Sequence, residues 1–209
     1  MTDTVARGVV IGADGIARCP WGASAPEYQP YHDTEWGRPV GSDDRVFEKL
    51  CLEGFQGGLS WLTILRKREG FRRAFAGFDP SVVAGFGPAD VERLLADAAI
   101  VRNRAKIMAT IDNARATLRL RDQGMSVAAL LWKYEPSGGR PPRTMATLPA
   151  STPESKALSS ELRRHGFRFV GPTTVYAAMQ SLGVVNDHLE GCQFRAAAEE
   201  ERAGFAPPS

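Results

Sequence analysis

The strongest constraint in this sequence is a set of cysteine and histidine residues near its two ends. Cys19 and His32 lie close to the start, and His188 and Cys192 lie close to the end. The four-residue step from His188 to Cys192 puts both side chains on one face of a helix, where they can hold one ion. Two thiolates and two imidazoles form a closed tetrahedral Zn²⁺ site with no position left for water, so such a site is structural. The alternative is that the cysteines are small core residues and the histidines are ordinary buried side chains.

The composition is that of a globular chain, with 209 residues of which 43% are hydrophobic and 24% are charged. No apolar run approaches the roughly 18 residues of a membrane-spanning helix. The first residues lack the basic and apolar sections of a signal peptide, so we expect a cytoplasmic protein. Three cysteines are too few for a disulfide framework, which fits a reducing compartment. The net charge of +2 favours no class of partner by itself.

Capping residues and helical periodicity predict an all-α fold. Ser42 and Ser60 are good N-caps, and Pro88 and Pro172 fit the first position of a helix. Apolar residues recur after each of them at helical spacing, and Gly124 ends the longest such segment. No segment alternates polar and apolar residues over the length that a strand requires, apart from a weak match near residues 167–170.

The domain organisation is predicted to be simple. Residues 1–17 are small and polar, and we expect them to be disordered. Residues 18–195 are predicted to form a single domain, in which a pair of helices over about 88–122 has the outline of a helix-hairpin-helix. We expect residues 196–209 to form a disordered tail.

Glu53 is a carboxylate on the apolar side of the first long helix. Val46 and Leu50 lie on the same stripe, so the side chain is predicted to be buried. A buried carboxylate is costly unless it is paired, and a cationic or N–H-donating ligand would satisfy it. The alternative is an exposed Glu53 that pairs weakly with Lys49, four residues earlier.

Four large aromatic residues flank that helix in the sequence: Trp21, Tyr28, Tyr31 and Trp61. Aromatic faces attract flat cations, and they also stack on nucleobases. An acidic group among such faces suits a positively charged heterocycle. The alternative is that the four residues are part of the core.

The predicted hairpin carries basic residues at the start of its second helix. Arg102, Arg104 and Lys106 surround this N-terminus, where free backbone N–H groups and the helix dipole favour a phosphate. These residues are therefore candidate contacts to the backbone of DNA. The alternative is a solvated charged face.

Six segments, in order over residues 18–192, resemble the 3-methyladenine DNA glycosylase I family of bacterial alkylation-repair enzymes. They are RCPW at 18–21, YHDTEWG at 31–37, CLEGFQGGLSW at 51–61, IVRNRAKI at 100–107, GFRFVGPTT at 166–174 and VNDH at 185–188. The resemblance implies an all-helical glycosylase fold of the helix-hairpin-helix superfamily, in which a structural zinc joins the two ends of the domain. The zinc ligands that it implies are Cys19, His32, His188 and Cys192.

The same resemblance implies roles for the pocket residues. Glu53 and Tyr31 would form hydrogen bonds with the excised base, Trp61 would stack on it, and Trp21 and Tyr28 would lie nearby. Leu59 would fill or wedge the base stack of the DNA.

The activity that the resemblance implies is monofunctional hydrolysis of the N-glycosidic bond of 3-methyladenine in alkylated double-stranded DNA. The alkylated nucleotide would be flipped into the aromatic pocket for this reaction. We expect a monomer that carries one Zn²⁺ and has no membrane contact. A second hypothesis is a zinc-stabilised module that binds alkylated DNA without cutting it. A third is a zinc hydrolase of small molecules, which would need an open metal position.

Overall fold

The computed structural model describes residues 8–208 and is built almost entirely of helices. A short antiparallel hairpin of β1 (Val10–Ile11) and β2 (Ala17–Arg18) comes first. The helices that follow are α1 (Tyr28–Thr34), α2 (Asp43–Gln56), α3 (Trp61–Ala74), α4 (Pro80–Val83), α5 (Pro88–Ala96), α6 (Arg104–Asp122), α7 (Val127–Trp132), α8 (Pro153–Arg164), α9 (Pro172–Ser181) and α10 (Arg195–Ala203). The prediction of a mainly helical fold is confirmed. Within 8–208, no helix combines the length and the apolar character needed to cross a bilayer.

Side-chain caps fix where several helices begin. The Ser60 hydroxyl accepts a hydrogen bond from the Thr63 amide at the start of α3. The Asn103 side chain accepts one from the Lys106 amide at the start of α6. Proline occupies the first turn of α5, α8 and α9, where its missing N–H costs no hydrogen bond. The helix starts that were predicted from caps and prolines are therefore confirmed.

Helix α2 lies at the centre of the fold and separates two apolar clusters. Val46 and Leu50 belong to a cluster with α7, α8 and α9, whereas Phe47 and Phe55 belong to a cluster with α3, α5 and α6. A helix that is packed on opposite sides is buried around most of its circumference. This position explains why polar residues of α2, Glu53 among them, are removed from water.

The predicted disorder over residues 1–17 is wrong for residues 8–17, and residues 1–7 lie outside the described part. Val9 is almost fully buried against Cys19 and Leu189, and the Ala17 carbonyl accepts a hydrogen bond from the Gln193 amide. The segment is ordered by these contacts with the distant end of the chain. Strands of two residues are too short to give a recognisable alternation in sequence.

The predicted disordered tail over 196–209 is wrong for residues 196–208, because α10 occupies most of them, and residue 209 lies outside the described part. Ala198 is fully buried, and the Arg202 side chain donates a hydrogen bond of 2.7 Å to the Gly183 carbonyl. Further along, the Phe205 ring packs 4.8 Å from that of Trp132. Contacts with residues far away in sequence hold this segment.

Candidate functional site

Glu53 lies in the wall of an aromatic cavity of about 240 Å³. The side chain is only 5% exposed, so the predicted burial is confirmed and the alternative of an exposed Glu53 is wrong. The cavity is smaller than the roughly 300–1,000 Å³ of clefts for drug-sized ligands, which suits a single heterocycle. Its other lining residues are Trp21, Tyr28, Tyr31, Trp36, Gln56, Trp61, Met145, Leu148, Ala177 and Gln180.

The aromatic side chains around this cavity contact one another. The rings of Trp21 and Tyr28 meet edge to face at 5.5 Å, and those of Tyr31 and Trp61 are tilted at 5.5 Å. The structure thus brings together all four aromatic residues that the sequence suggested. It adds Trp36, whose ring lies 5.0 Å from that of Trp21. Trp36 stands in the same aromatic segment of the sequence, which was the available signal.

Two stretches of the cavity wall could not be anticipated from the sequence. Met145 and Leu148 come from a proline-rich loop, and Ala177 and Gln180 come from α9. Neither segment carries a residue type that marks a binding site. They line the cavity only because the fold brings both segments close to Glu53 of α2.

Lys49 is buried behind the aromatic rings, one helical turn before Glu53. Its Nζ atom donates a hydrogen bond of 2.9 Å to the Tyr31 hydroxyl. The same atom lies 4.5 Å from the ring centroid of Trp61 and 4.8 Å from that of Tyr31, within cation–π range. The carboxylate of Glu35 is 3.9 Å away. An internal cation therefore lies next to the carboxylate that lines the cavity.

Burial dominates the electrostatics of this group of side chains. It raises the pKa of Glu53 to about 7, and the positive charge of Lys49 acts in the opposite direction. Burial also lowers the pKa of Lys49, because the charged form of an amine is penalised there. A carboxyl with a pKa near neutrality gains its negative charge most readily when a cation enters the cavity.

A wider, polar cleft of about 360 Å³ lies between α9, α10 and the loop after α7. Some of its polar side chains are already paired with one another. Tyr176 donates a hydrogen bond of 2.5 Å to Asp187, and Arg202 contacts Glu135 at 2.5 Å. Among the described residues, Tyr176 is the one aromatic residue in the lining of this cleft, which therefore lacks the facing rings of the aromatic cavity.

Cys19, His32, His188 and Cys192 come together as predicted, with their four potential ligand atoms within 4.8 Å of one another. The Cys192 sulfur is 3.6 Å from His32 Nε2 and 3.5 Å from His188 Nδ1, and the Cys19 sulfur is 3.9 Å from His188 Nδ1. Tetrahedral Zn²⁺ with bonds of 2.0–2.3 Å separates its ligand atoms by about 3.3–3.8 Å. The donor set and its spacing therefore fit a metal ion such as zinc.

The outer nitrogen atoms of both histidines have hydrogen-bond partners that fix the rings. His32 Nδ1 lies 2.8 Å from an Asp33 carboxylate oxygen, and His188 Nε2 lies 3.1 Å from the Trp36 carbonyl oxygen. Because a carbonyl can only accept, His188 donates through Nε2 and leaves Nδ1 free for a metal. Carboxylate or carbonyl partners of this kind are typical of metal-binding histidines.

The candidate metal centre and the aromatic cavity share structural elements. Helix α1 carries His32 and, next to it, Tyr31 of the cavity wall. The Trp36 ring lies 4.7 Å from that of His188 and also lines the cavity. A metal ion at the four-residue cluster would therefore hold one side of the cavity in place.

The candidate DNA contacts lie at the end of α2 and at the start of α6. Leu59 is 42% exposed in the turn between α2 and α3. Arg102 and Arg104 are exposed, and Arg104 forms an ion pair of 2.9 Å with Glu92.

The sequence suggested Lys106 as a contact to DNA at the start of α6. Its ammonium group instead forms hydrogen bonds within the protein. Its Nζ atom donates to the carbonyls of Phe55 at 2.8 Å and Gly57 at 2.5 Å. These carbonyls belong to the last turn of α2, where a cation is favourable. Lys106 thus connects the start of α6 to the turn that carries Leu59.

Comparison with known proteins gives one consistent result. The model of a family described as methyladenine glycosylase matches residues 21–196. DNA-3-methyladenine glycosylase 1 of Escherichia coli is 47% identical over 181 residues, which cover 85% of this chain and 96% of the relative. DNA-3-methyladenine glycosylase of Haemophilus influenzae is 42% identical over 178 residues, which cover 84% of this chain and 96% of the relative.

Solved structures of similar proteins agree with these relatives. A crystal structure of a 3-methyladenine DNA glycosylase I superposes with a TM-score of 0.82 at 45% identity, over 84% of this chain and 98% of that chain. A variant of such an enzyme in complex with 3-methyladenine superposes with a TM-score of 0.80 at 32% identity, over 85% of this chain and 97% of that chain.

Proposed function

Because the chain belongs to the methyladenine glycosylase family, we propose that it excises 3-methyladenine from alkylated double-stranded DNA. The observation that carries this proposal is the buried carboxylate of Glu53 in an aromatic cavity of single-base size. The experiment that tests it is the release of free 3-methyladenine from methylated duplex DNA, with unmethylated duplex as the control.

The chemistry follows from the charge of the alkylated base. Methylation at N3 makes the adenine cationic, which makes it a good leaving group. When the bond between C1′ and N9 breaks, its electron pair remains on the base and neutralises it. The sugar becomes oxocarbenium-like, and a water oxygen then bonds to C1′ and releases a proton. The products are free 3-methyladenine and an abasic site.

The cavity would bind the cationic base through charge and stacking. Ionised Glu53 would accept a hydrogen bond from the exocyclic amine, and Tyr31 would provide a second polar contact. The Trp61 ring would stack on the base, with Trp21 and Tyr28 closing the pocket. Normal adenine is neutral and would bring no positive charge to the buried Glu53 carboxylate beyond that of Lys49, so it would bind less well than the cationic base.

We propose that Zn²⁺ is bound by Cys19, His32, His188 and Cys192. Such an ion would supply structure rather than chemistry, because four protein ligands leave no position for water or substrate. It would join the β1–β2 hairpin, α1 and the segment before α10.

The enzyme would reach its base by flipping the nucleotide out of the duplex. We propose that Leu59 enters the base stack and that the start of α6, with Arg102 and Arg104, contacts the phosphate backbone. The Lys49 side chain does not line the cavity, and its amine is bonded to the Tyr31 hydroxyl, so we expect simple hydrolysis without strand cleavage. We expect a cytoplasmic monomer.

The ionisation of Glu53 predicts the pH dependence of the reaction. Burial raises the pKa of Glu53 to about 7, so kcat/KM for base release should fall as the pH drops through neutrality. An ordinary glutamate would keep its charge down to about pH 4.3. The measurement is base release over pH 5–9, corrected for spontaneous loss from the DNA.

A Lys49→Met variant provides the matched comparison for this profile. Removing the cation that favours ionised Glu53 should move the acidic limb to higher pH. An acidic limb that does not move, or that moves to lower pH, contradicts the assigned role of Glu53.

A further inference from the structure

Phe169 combines an exposed ring with a left-handed backbone conformation. Its φ is +56° and its side chain is 42% exposed. This conformation is strained for a bulky residue and persists only where the surroundings enforce it. Phe78 also has a positive φ, but it is fully buried, so packing in the core accounts for it. Packing in the core cannot account for the positive φ of Phe169 in the same way, because its ring is exposed.

Buried hydrogen bonds hold the backbone on both sides of Phe169. The Asn113 side chain of α6, which is 2% exposed, accepts a bond of 2.7 Å from the Arg168 amide and donates one of 3.1 Å to the Arg168 carbonyl. The Ser159 hydroxyl of α8 donates a bond of 2.6 Å to the Val170 carbonyl. These three bonds fix the backbone around the strained residue. The exposed position of Phe169 is therefore set by the fold.

Phe169 lies beside the last turn of α2, next to the residue that follows Glu53. A methyl group on Gly54 would be 3.3 Å from the Cβ atom of Phe169, so the two backbones approach closely there. Gly54 directly follows Glu53, and exposed Leu59 follows the end of the same helix.

The position of Asn113 along α6 also places Phe169 near the pair of helices α5 and α6. Asn113, which holds the neighbouring residue, lies two helical turns, or about 10 Å, beyond Lys106. Lys106 in turn binds the last carbonyls of α2. Phe169, Leu59 and the start of α6 therefore surround the end of α2.

We propose that the Phe169 ring enters the duplex together with Leu59 and stacks on a base that the extrusion of the alkylated nucleotide leaves unstacked. This inference rests on the proposed function. An aromatic side chain stacks on any base, and apolar side chains commonly wedge between base steps. A side chain whose backbone is fixed before binding loses less conformational entropy when its ring stacks. That advantage accounts for the retention of a strained backbone at an exposed position.

The test is the affinity for a duplex that carries a tetrahydrofuran abasic-site analogue opposite 2-aminopurine. Phe169→Ala should weaken binding roughly 5- to 150-fold, the range that one base stack supports. It should also change the 2-aminopurine fluorescence of the complex. Phe169→Tyr keeps the ring and should bind within about threefold of the native protein, the uncertainty of a single contact.

Two further measurements separate this role from a structural one. The affinity for free 3-methyladenine should be equal in the native protein and in Phe169→Ala, because the ring is not in the cavity wall. Phe169→Gly should melt at a higher temperature than Phe169→Ala, since only glycine adopts this backbone without strain. Weak duplex binding by both variants, despite this difference in stability, supports the inference.

Native-like duplex affinity of Phe169→Ala overturns the inference. Loss of free-base binding in that variant also overturns it, because the residue would then act through the cavity. If the native protein releases no base, the proposed function fails, whereas the duplex measurement still decides the role of Phe169.

Discussion

Replacing Glu53 with glutamine is expected to reduce the release of 3-methyladenine by about 30- to 1,000-fold. The substitution keeps the size of the side chain but removes the negative charge that faces the cationic base. Removing one partner of a buried charge interaction costs about 2–4 kcal/mol, which gives this range. The affinity for the base should account for most of the loss. The measurement is single-turnover release from methylated duplex DNA at pH 8.

Glu48→Gln is the matched control for this prediction. Glu48 lies on the same helix and is 6% exposed, but it pairs with Arg72 at 2.7 Å and does not line the cavity. It should release the base at nearly the native rate. If Glu53→Gln keeps native activity, or if both variants lose activity equally, the carboxylate in the cavity does not recognise the base.

Chelating the proposed zinc is expected to destabilise the whole fold. The cluster joins residues near the two ends of the described chain, from Cys19 to Cys192. A cross-link that closes a loop longer than 100 residues stabilises by about 4–5 kcal/mol in the chain-entropy treatment of disulfides. For a chain of this size, that corresponds to a fall of roughly 10–15 °C in Tm. Thermal unfolding before and after chelation, with zinc content measured by mass spectrometry, checks this expectation.

Two cysteine variants sharpen the metal experiment. Cys192→Ser should not hold the proposed zinc and should show the lowered Tm without added chelator. Cys51→Ala is the control, because Cys51 is a buried thiol outside the cluster and should keep its zinc. A native protein that binds no zinc, or a chelated protein with unchanged Tm, contradicts a structural metal. Loss of activity with full retention of the fold would instead favour a metal with a chemical role.

The features that could be predicted from the sequence depend on short-range rules. The cap at Ser60 begins a helix because its side-chain oxygen accepts a bond from the next turn. The helical stripe of α2 was sufficient to predict the burial of Glu53. One cysteine and one histidine near each end of the chain, with the His-x-x-x-Cys step at the second end, predicted the four residues that the structure brings together.

The features that were missed depend on contacts between distant segments. Helix α10 is held by contacts with other helices. The β1–β2 hairpin is held by partners more than 150 residues away, as in the hydrogen bond from the Gln193 amide to the Ala17 carbonyl. From the sequence, Lys49 would be predicted to lie at the surface. The packing of α1 and α3 over α2 instead buries it under Tyr31 and Trp61. Lys106 is basic at a helix start, yet its partners are carbonyls at the end of α2. Local pattern carries no information about such partners.

The most direct test of the account is to incubate the native protein with methylated duplex DNA and to analyse both products. A monofunctional glycosylase yields free 3-methyladenine, detected by chromatography, together with intact strands that carry alkali-sensitive abasic sites. Binding of the methylated duplex without release of any base would contradict it and would identify a non-catalytic binding module instead.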